Sequence, residues 1–356
     1  MSESSERARV DHNELRAVVQ SIFEHSHFPS DQARRSADVL VAADLRGVES
    51  HGVSNMLRRY LDWLDTGHLN PKPEVTKLRE MPCTAAYDGD GGLGIAVLPE
   101  LMGMAIEKAR LYGVGMIAVR NTRHSGMLAY HTMLAAEQDM IGVCATSGGP
   151  RVVPTFGREA RLGTNPLSVA VPTGEERPFV YDAATSTVAY NKVANARRAG
   201  EPLGPGWCAA PDGTPLMEPS SSNQPLDHLM LPLGATPEGG SHKGYSLGAI
   251  VEILASILPG GPFMGRLQGA FSGHFLAAID PAAFGDLDEF RQETREFTDY
   301  LRGTPPARGR DRVLVPNDLE WETERERLRE GIPLHGEVLS WLDETCDARG
   351  IRRVPR

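Results

Sequence analysis

One run of nine residues, Asp44-Leu45-Arg46-Gly47-Val48-Glu49-Ser50-His51-Gly52, puts an imidazole beside a hydroxyl where a helix is due to begin. A helix start disfavours the protonated ring, and a neighbouring hydroxyl poises it as a proton donor or acceptor near neutral pH. Helical spacing sets Asn55, Arg58 and Arg59 one to two turns beyond His51, on or beside its face. A proton-transfer group flanked by polar and cationic groups suits a substrate with a hydroxyl next to a carboxylate. The same residues also suit an N-cap serine beside an ordinary histidine.

Three other segments carry groups of comparable interest. Asn121-Thr122-Arg123-His124-Ser125-Gly126 falls between a strand-like run and a helix, where backbone N–H groups can hold an anion or simply form a capped turn. Gly163-Thr164-Asn165-Pro166 is followed by Asp182-Ala183-Ala184 at a strand end. The Asp182 carboxylate is expected to cap the next helix or orient an imidazole. Ser241-His242-Lys243-Gly244 opens the most apolar helix, and a lysine there makes a phosphate site without the glycine spacing of a P-loop. Gly89-Asp90-Gly91-Gly92-Leu93-Gly94 satisfies the dinucleotide fingerprint G-x-G-x-x-G. Its strand TAAYD is short, Asp88 and Asp90 would repel a pyrophosphate, and the acid expected about 20 residues on would fall near Ala109, which is not acidic. A glycine-rich turn is the expectation there.

These segments belong to a chain of 356 residues, with 40% apolar and 24% charged residues, the balance of a folded globular protein. Its net charge of −10 argues against a nucleic-acid or anionic-membrane surface. Four cysteines, Cys83, Cys144, Cys208 and Cys346, lie far apart, so they read as small buried hydrophobes and not as a disulfide framework. No metal site is expected. The N-terminus is polar, and the most apolar stretch, 245–259, is too short to span a bilayer, so a cytoplasmic protein is expected.

The elements that must position the groups follow from periodicity. Helices are expected over 11–24, from Ser30 or Asp31 onward, and from Ser50 as N-cap to Gly67. From about residue 84 the pattern becomes mixed α and β. Strand-like runs lie near 116, 140, 167 and 178, and helices over 99–111, 128–138, 185–198 and 243–258. Residues 200–229, rich in Pro, Ser and Gly, read as a surface excursion, and helices near 284–302, 319–330 and 335–348 close the chain. The expected fold class is α+β, with residues 1–80 packing on 270–356 around a central unit of 81–269.

Taken together, DLRGVESHG, NTRHSGMLAY, GTNPLSVAVPT, YDAATSTVA-x-x-K and LPLG…GSHKGYSL resemble the type-2 malate/L-lactate dehydrogenase family, in order, from about residue 10 to about 340. The resemblance implies a largely antiparallel central sheet that binds NAD or NADP without a Rossmann unit, in a homodimer with the active site near the subunit interface. It implies a small 2-hydroxy or 2-oxo acid as substrate, with a cyclic imino acid or a non-catalytic dinucleotide-binding role as alternatives. Ser50 and His51 match the catalytic pair, and His124 matches a histidine that lines the cofactor in some members and is the base in others. Asp182 joins these as a catalytic candidate. Thr164 matches a substrate contact. Ser125, Gly126, Asp182, Ala183, Ala184, His242, Lys243, Asn317 and Asp318 fall at cofactor contacts. Three positions depart from the family pattern. Asn55 stands where an arginine commonly grips the substrate carboxylate, which turns attention to Arg58 or Arg59. Ser125 replaces a phenylalanine, and Tyr190-Asn191 replaces Arg-Gly.

Overall fold

Asp11 ends one element and starts the next. Its carboxylate accepts the N–H groups of Asn13 at 2.8 Å and Glu14 at 3.0 Å, two of the donors a helix start leaves unpaired. The computed structural model describes residues 7–222, 226, 229–263, 266 and 271–356. Strand β1 (Arg7–Val10) leads through Asp11 into α1 (His12–His25), which buries Leu15, Val18, Val19, Ile22 and Phe23, the face its period predicts. Helices α2 (Ser30–Leu45) and α3 (Val53–Asp65) follow, joined by a 3₁₀ turn over Glu49–His51.

Then come β2 (Thr76–Glu80), β3 (Thr84–Asp88), α4 (Gly94–Tyr112), β4 (Val114–Thr122), α5 (Leu128–Ala136), β5 (Ile141–Thr146), β6 (Leu167–Val171) and β7 (Phe179–Ala183). The second half holds α6 (Tyr190–Ala199), α7 (Ser241–Glu252) running into a π-helical turn at Ile253–Ile257, and β8 (Ser272–Ile279). It ends with α8 (Leu287–Arg302), α9 (Asp318–Glu330), β9 (Ile332–His335) and α10 (Gly336–Arg349). The main sheet runs β2-β3-β4-β8-β5-β6-β7. Only the β3–β4 pair, linked through α4, is parallel, and the other five neighbouring pairs are antiparallel. The fold is α+β, with a largely antiparallel sheet. Among the described residues no helix is long and apolar enough to cross a membrane.

Four apolar clusters organise the chain. One joins α1–α3 to β9 and α10 through residues such as Phe23, Leu57, Leu334 and Leu342, with β1 pairing antiparallel to β9. A second packs α4 and α5 on the sheet. A small one, with Ala43, Met127, Ala129, Ala170 and Val180, ties α2 and α5 to β6 and β7 where helices meet sheet. The fourth corrects an expectation. Residues 200–229 are not simply a surface excursion, because Leu203, Cys208, Ala209, Leu226 and Leu229 are buried against Val152, Val193 and Met230. Residues 223–225, 227 and 228 of that segment, the 269–270 boundary and residues 1–6 lie outside the described residues.

Two element boundaries also differ from expectation. Helix α4 begins at Gly94, five residues before Pro99, which it tolerates in its interior. Residues 185–189 are irregular, with one isolated bridge at Ser186, and not helical, because Thr185 N–H bonds Thr164 O at 2.9 Å and Thr187 N–H bonds Leu231 O at 2.9 Å. Cys144, Cys208 and Cys346 are buried and Cys83 partly so, all as free thiols.

Candidate functional site

The His51 turn is held from below by Asp44, at the end of α2. The Asp44 carboxylate crosses the turn and accepts the Val53 N–H at 2.8 Å, taking one of the donors that the start of α3 leaves unpaired. Only glycine fits at position 52, since a Cβ there would lie 1.9 Å from Asp44 Oδ1. The expected capping role of Ser50 is therefore corrected. With that donor already taken, the Ser50 Oγ turns to His51 Nδ1 at 2.9 Å. Burial pushes the Asp44 carboxyl up to about 7.

Three other elements fasten the same turn. Asn55 Nδ2 donates to Glu49 O at 2.8 Å, and Asn191 Nδ2, from the first turn of α6, donates to Ser50 O at 2.7 Å. Arg327 of α9 reaches Asp44 O at 2.6 Å and Glu49 Oε1 at 2.8 Å. Asn55 is thus spent on the backbone and does not line the cleft.

His124 lies across from His51. Their rings are stacked, with centroids 5.4 Å apart and planes 12° from parallel. The Tyr60 hydroxyl sits 2.7 Å from His124 Nδ1, and the Gly126 N–H points at the same atom from 3.2 Å. Burial pushes His51 down to about 4. It holds His124 well below the usual histidine range, assisted by His51 and Arg59 nearby. Two neutral imidazoles thus face each other.

Both open on a cleft of ≈ 1020 Å³ at the junction of helices and sheet. Of the residues singled out by sequence, Ser50, His51, Arg59, His124, Gly126, Thr164, Asp182, Ala183, Ala184 and Asn317 line it. Arg59 reaches it across the Trp63 ring, 5.2 Å from the centroid, whereas Arg58 is turned outward over Trp341. Ser125 is buried behind the wall, with its Oγ 3.2 Å from Thr146 Oγ1. Asp182 caps α5, accepting the Ala129 N–H at 2.7 Å, and not the helix that follows it in sequence. No imidazole hydrogen-bonds it among the described residues. Asn317 Nδ2 donates to Pro178 O at 2.8 Å, and its Oδ1 takes Arg46. Asp318 is spent on Arg302 and Arg177, each 3.1 Å away, and His242 and Lys243 lie off the cleft on the exposed first turn of α7.

Sequence reasoning missed Tyr60, Asp44 and Arg327 as supports and Arg151 as a wall residue. Arg151 stacks on Tyr190, 3.8 Å from the ring centroid. Position 190 was legible as a departure from the family pattern, but its partner, far away in sequence, was not. The G-x-G-x-x-G run is a structural turn. The N–H groups of Gly89, Gly91 and Gly92 bond Arg120 O, Asn121 O and Gly89 O at 2.8–2.9 Å, so these three are taken up by the turn itself.

A family model described as malate/L-lactate dehydrogenase matches residues 10–343. The chain belongs to this family. A malate dehydrogenase of Pyrococcus abyssi is 37% identical over 352 residues, covering 97% of this chain and 96% of that one. An L-sulfolactate dehydrogenase of Methanocaldococcus jannaschii is 33% identical, covering 95% and 96%. Among solved structures, the malate dehydrogenase of Entamoeba histolytica superposes with a TM-score of 0.92 at 32% identity, covering 98% of this chain and 99% of that one.

This member of the malate/L-lactate dehydrogenase family is an oxidoreductase of that type, a class that works with a nicotinamide cofactor. The cleft suits such a group. Its volume stands at the top of the roughly 300–1,000 Å³ of ordinary small-molecule sites. Arg123 and Arg151 on its walls supply the positive charge that a pyrophosphate calls for, whereas Arg46 is paired with Glu324 at 2.8 Å.

Proposed function

We propose that this protein interconverts a small 2-hydroxy acid and its 2-oxo acid, with NAD or NADP as hydride carrier and His51 as the group that moves the hydroxyl proton. The observation that carries this reading is the Ser50 Oγ at 2.9 Å from His51 Nδ1, in a cleft shared with Arg59. A hydroxyl can donate or accept, so Ser50 can follow His51 through either tautomer. When His51 takes the substrate proton at Nε2, its Nδ1–H donates to Ser50 Oγ. In the reverse direction Nε2–H gives the proton to the carbonyl oxygen. Burial favours the neutral ring, which keeps it ready as a base and makes its protonated form a strong acid.

The remaining residues bind and orient. Arg59 takes the substrate carboxylate in place of the arginine absent at Asn55, and Thr164, which also lines the cleft, touches the substrate. The segment Asp182-Ala183-Ala184, with Gly126 and Asn317, contacts the cofactor, which supplies the hydride acceptor or donor when bound. Asp182 acts here by holding the start of α5 under that wall. His242, Lys243, Asp318 and Arg58, off the cleft in a single copy of the chain, have no part in this reading. The hydroxy acids in the names of the relatives give it more support than the cyclic imine alternative has.

The working unit proposed is a homodimer. Ile250, Ile253 and Ile257 recur at helical spacing along α7 and its π-helical end, and with Leu258 they are about half exposed, an apolar face that a second copy would cover. Four free cysteines fit a cytoplasmic setting, where thiols stay reduced. The activity is tested by following reduced nicotinamide with a panel of 2-hydroxy and 2-oxo acids, with each cofactor, and a cyclic imine as control. Turnover of a hydroxy acid is expected, and turnover of the imine alone would overturn the reading.

A further inference from the structure

The two stacked histidines differ in what holds their inner nitrogens. His51 Nδ1 faces a hydroxyl, which can donate or accept. His124 Nδ1 faces a backbone N–H, that of Gly126 at 3.2 Å, which can only donate. A proton on Nδ1 would point at that N–H, so this nitrogen carries the lone pair and the Tyr60 hydroxyl, 2.7 Å away, is a donor to it. With Nδ1 bare and the ring neutral, the single proton of His124 sits on Nε2.

The surroundings keep it there. Tyr60 is fully buried in α3, and burial disfavours its phenolate, so the hydroxyl keeps the proton it donates. Gly126 has φ +68°, the left-handed region that favours glycine, and a Cβ there would lie 2.7 Å from Ile95 Cγ2. The backbone that aims the N–H at His124 is therefore fixed by packing. No described residue hydrogen-bonds Nε2, while the ring lines the cleft.

We propose that Tyr60 is a positioning residue that, with the Gly126 N–H, locks His124 as an Nε2–H donor toward an oxygen of the bound substrate. The proposal divides the labour between the rings. His51 can exchange tautomers through Ser50 and moves the proton. His124 cannot exchange, gives one hydrogen bond, and is not a base. The role for substrate oxygen rests on the dehydrogenase reading above, whereas the tautomer itself does not.

The test uses the full chain with ¹⁵N-labelled histidine, without cofactor or substrate, in long-range ¹H–¹⁵N correlation near neutral pH, with His124 assigned by His124→Gln. A single tautomer is expected, protonated at Nε2 and bare at Nδ1, and Tyr60→Phe should yield a mixture of tautomers. A protonated Nδ1 in the unaltered protein would overturn the proposal, whether or not Tyr60→Phe folds. With whichever hydroxy acid is turned over, Tyr60→Phe should raise KM about tenfold, the worth of one misplaced hydrogen bond, and leave the His51 limb of the pH profile in place. An unchanged tautomer and an unchanged KM in Tyr60→Phe would also overturn it. The spectrum is read without substrate, so a failed dehydrogenase reading and a failed tautomer lock are told apart.

Discussion

His51 and His124 share a burial that strips their charge but differ in their partners, and partners decide what each can do. Burial holds His51 near 4, well under the ordinary histidine value of 6.5. Oxidation of a hydroxy acid needs the neutral ring, which is present above that value and lost as pH falls through it. The expected kcat/KM for oxidation therefore stays level down to about pH 5, with its acid limb below. An acid limb near 6.5 would show that His51 is solvated in the working enzyme. The residue types of this site were legible from Ser50-His51 and the Asn121–Gly126 turn. The partners were not, because Tyr60 is 64 positions from His124, and Arg327 is 278 from Glu49. Asp44 sits in the motif itself, but its cap across Gly52 depends on a turn that local periodicity does not encode.

Four elements meet at the Glu49–His51 turn, and α9 makes the most distant of these contacts. Arg327 bonds both Asp44 O and Glu49, so Arg327→Ala removes a cation that ties the two together. A loss of about 2 kcal/mol in folding stability is expected, the scale of hydrogen bonds to a charged group, together with a fall in kcat/KM. Chemical denaturation and initial rates check this, and an unchanged rate would mean the turn holds without α9. Helices were read well from sequence where an apolar period was strong, as in α1 and α3. Strand β8 was missed although it lies between β4 and β5, because Gly273, His274 and two alanines weaken its β signal. The irregular 185–189 segment was read as helix because its hydrogen-bond partners, Thr164 and Leu231, are invisible to a local window.

At the scale of the whole molecule, the mostly antiparallel sheet was anticipated through family resemblance, since composition and short strands alone left the arrangement open. Residues 200–229 show the limit of composition. Pro, Ser and Gly punctuate the segment, but Leu203, Cys208 and Leu229 anchor it in a core of its own. In the proposed homodimer the apolar face of α7 and its π-helical end is covered, and Ile253, 53% exposed, lies within it. Ile253→Asp is expected to shift the protein from dimer toward monomer in sedimentation equilibrium, since a buried unpaired carboxylate is costly. A dimer of unchanged affinity would place the interface elsewhere.

The most direct measurement is the turnover of His51→Gln beside that of the unaltered protein, with cofactor binding followed by nicotinamide fluorescence in both. Proton transfer by His51 predicts a loss of about 10²–10⁴-fold in kcat with cofactor affinity preserved. Full turnover with a hydroxy acid in His51→Gln would contradict it.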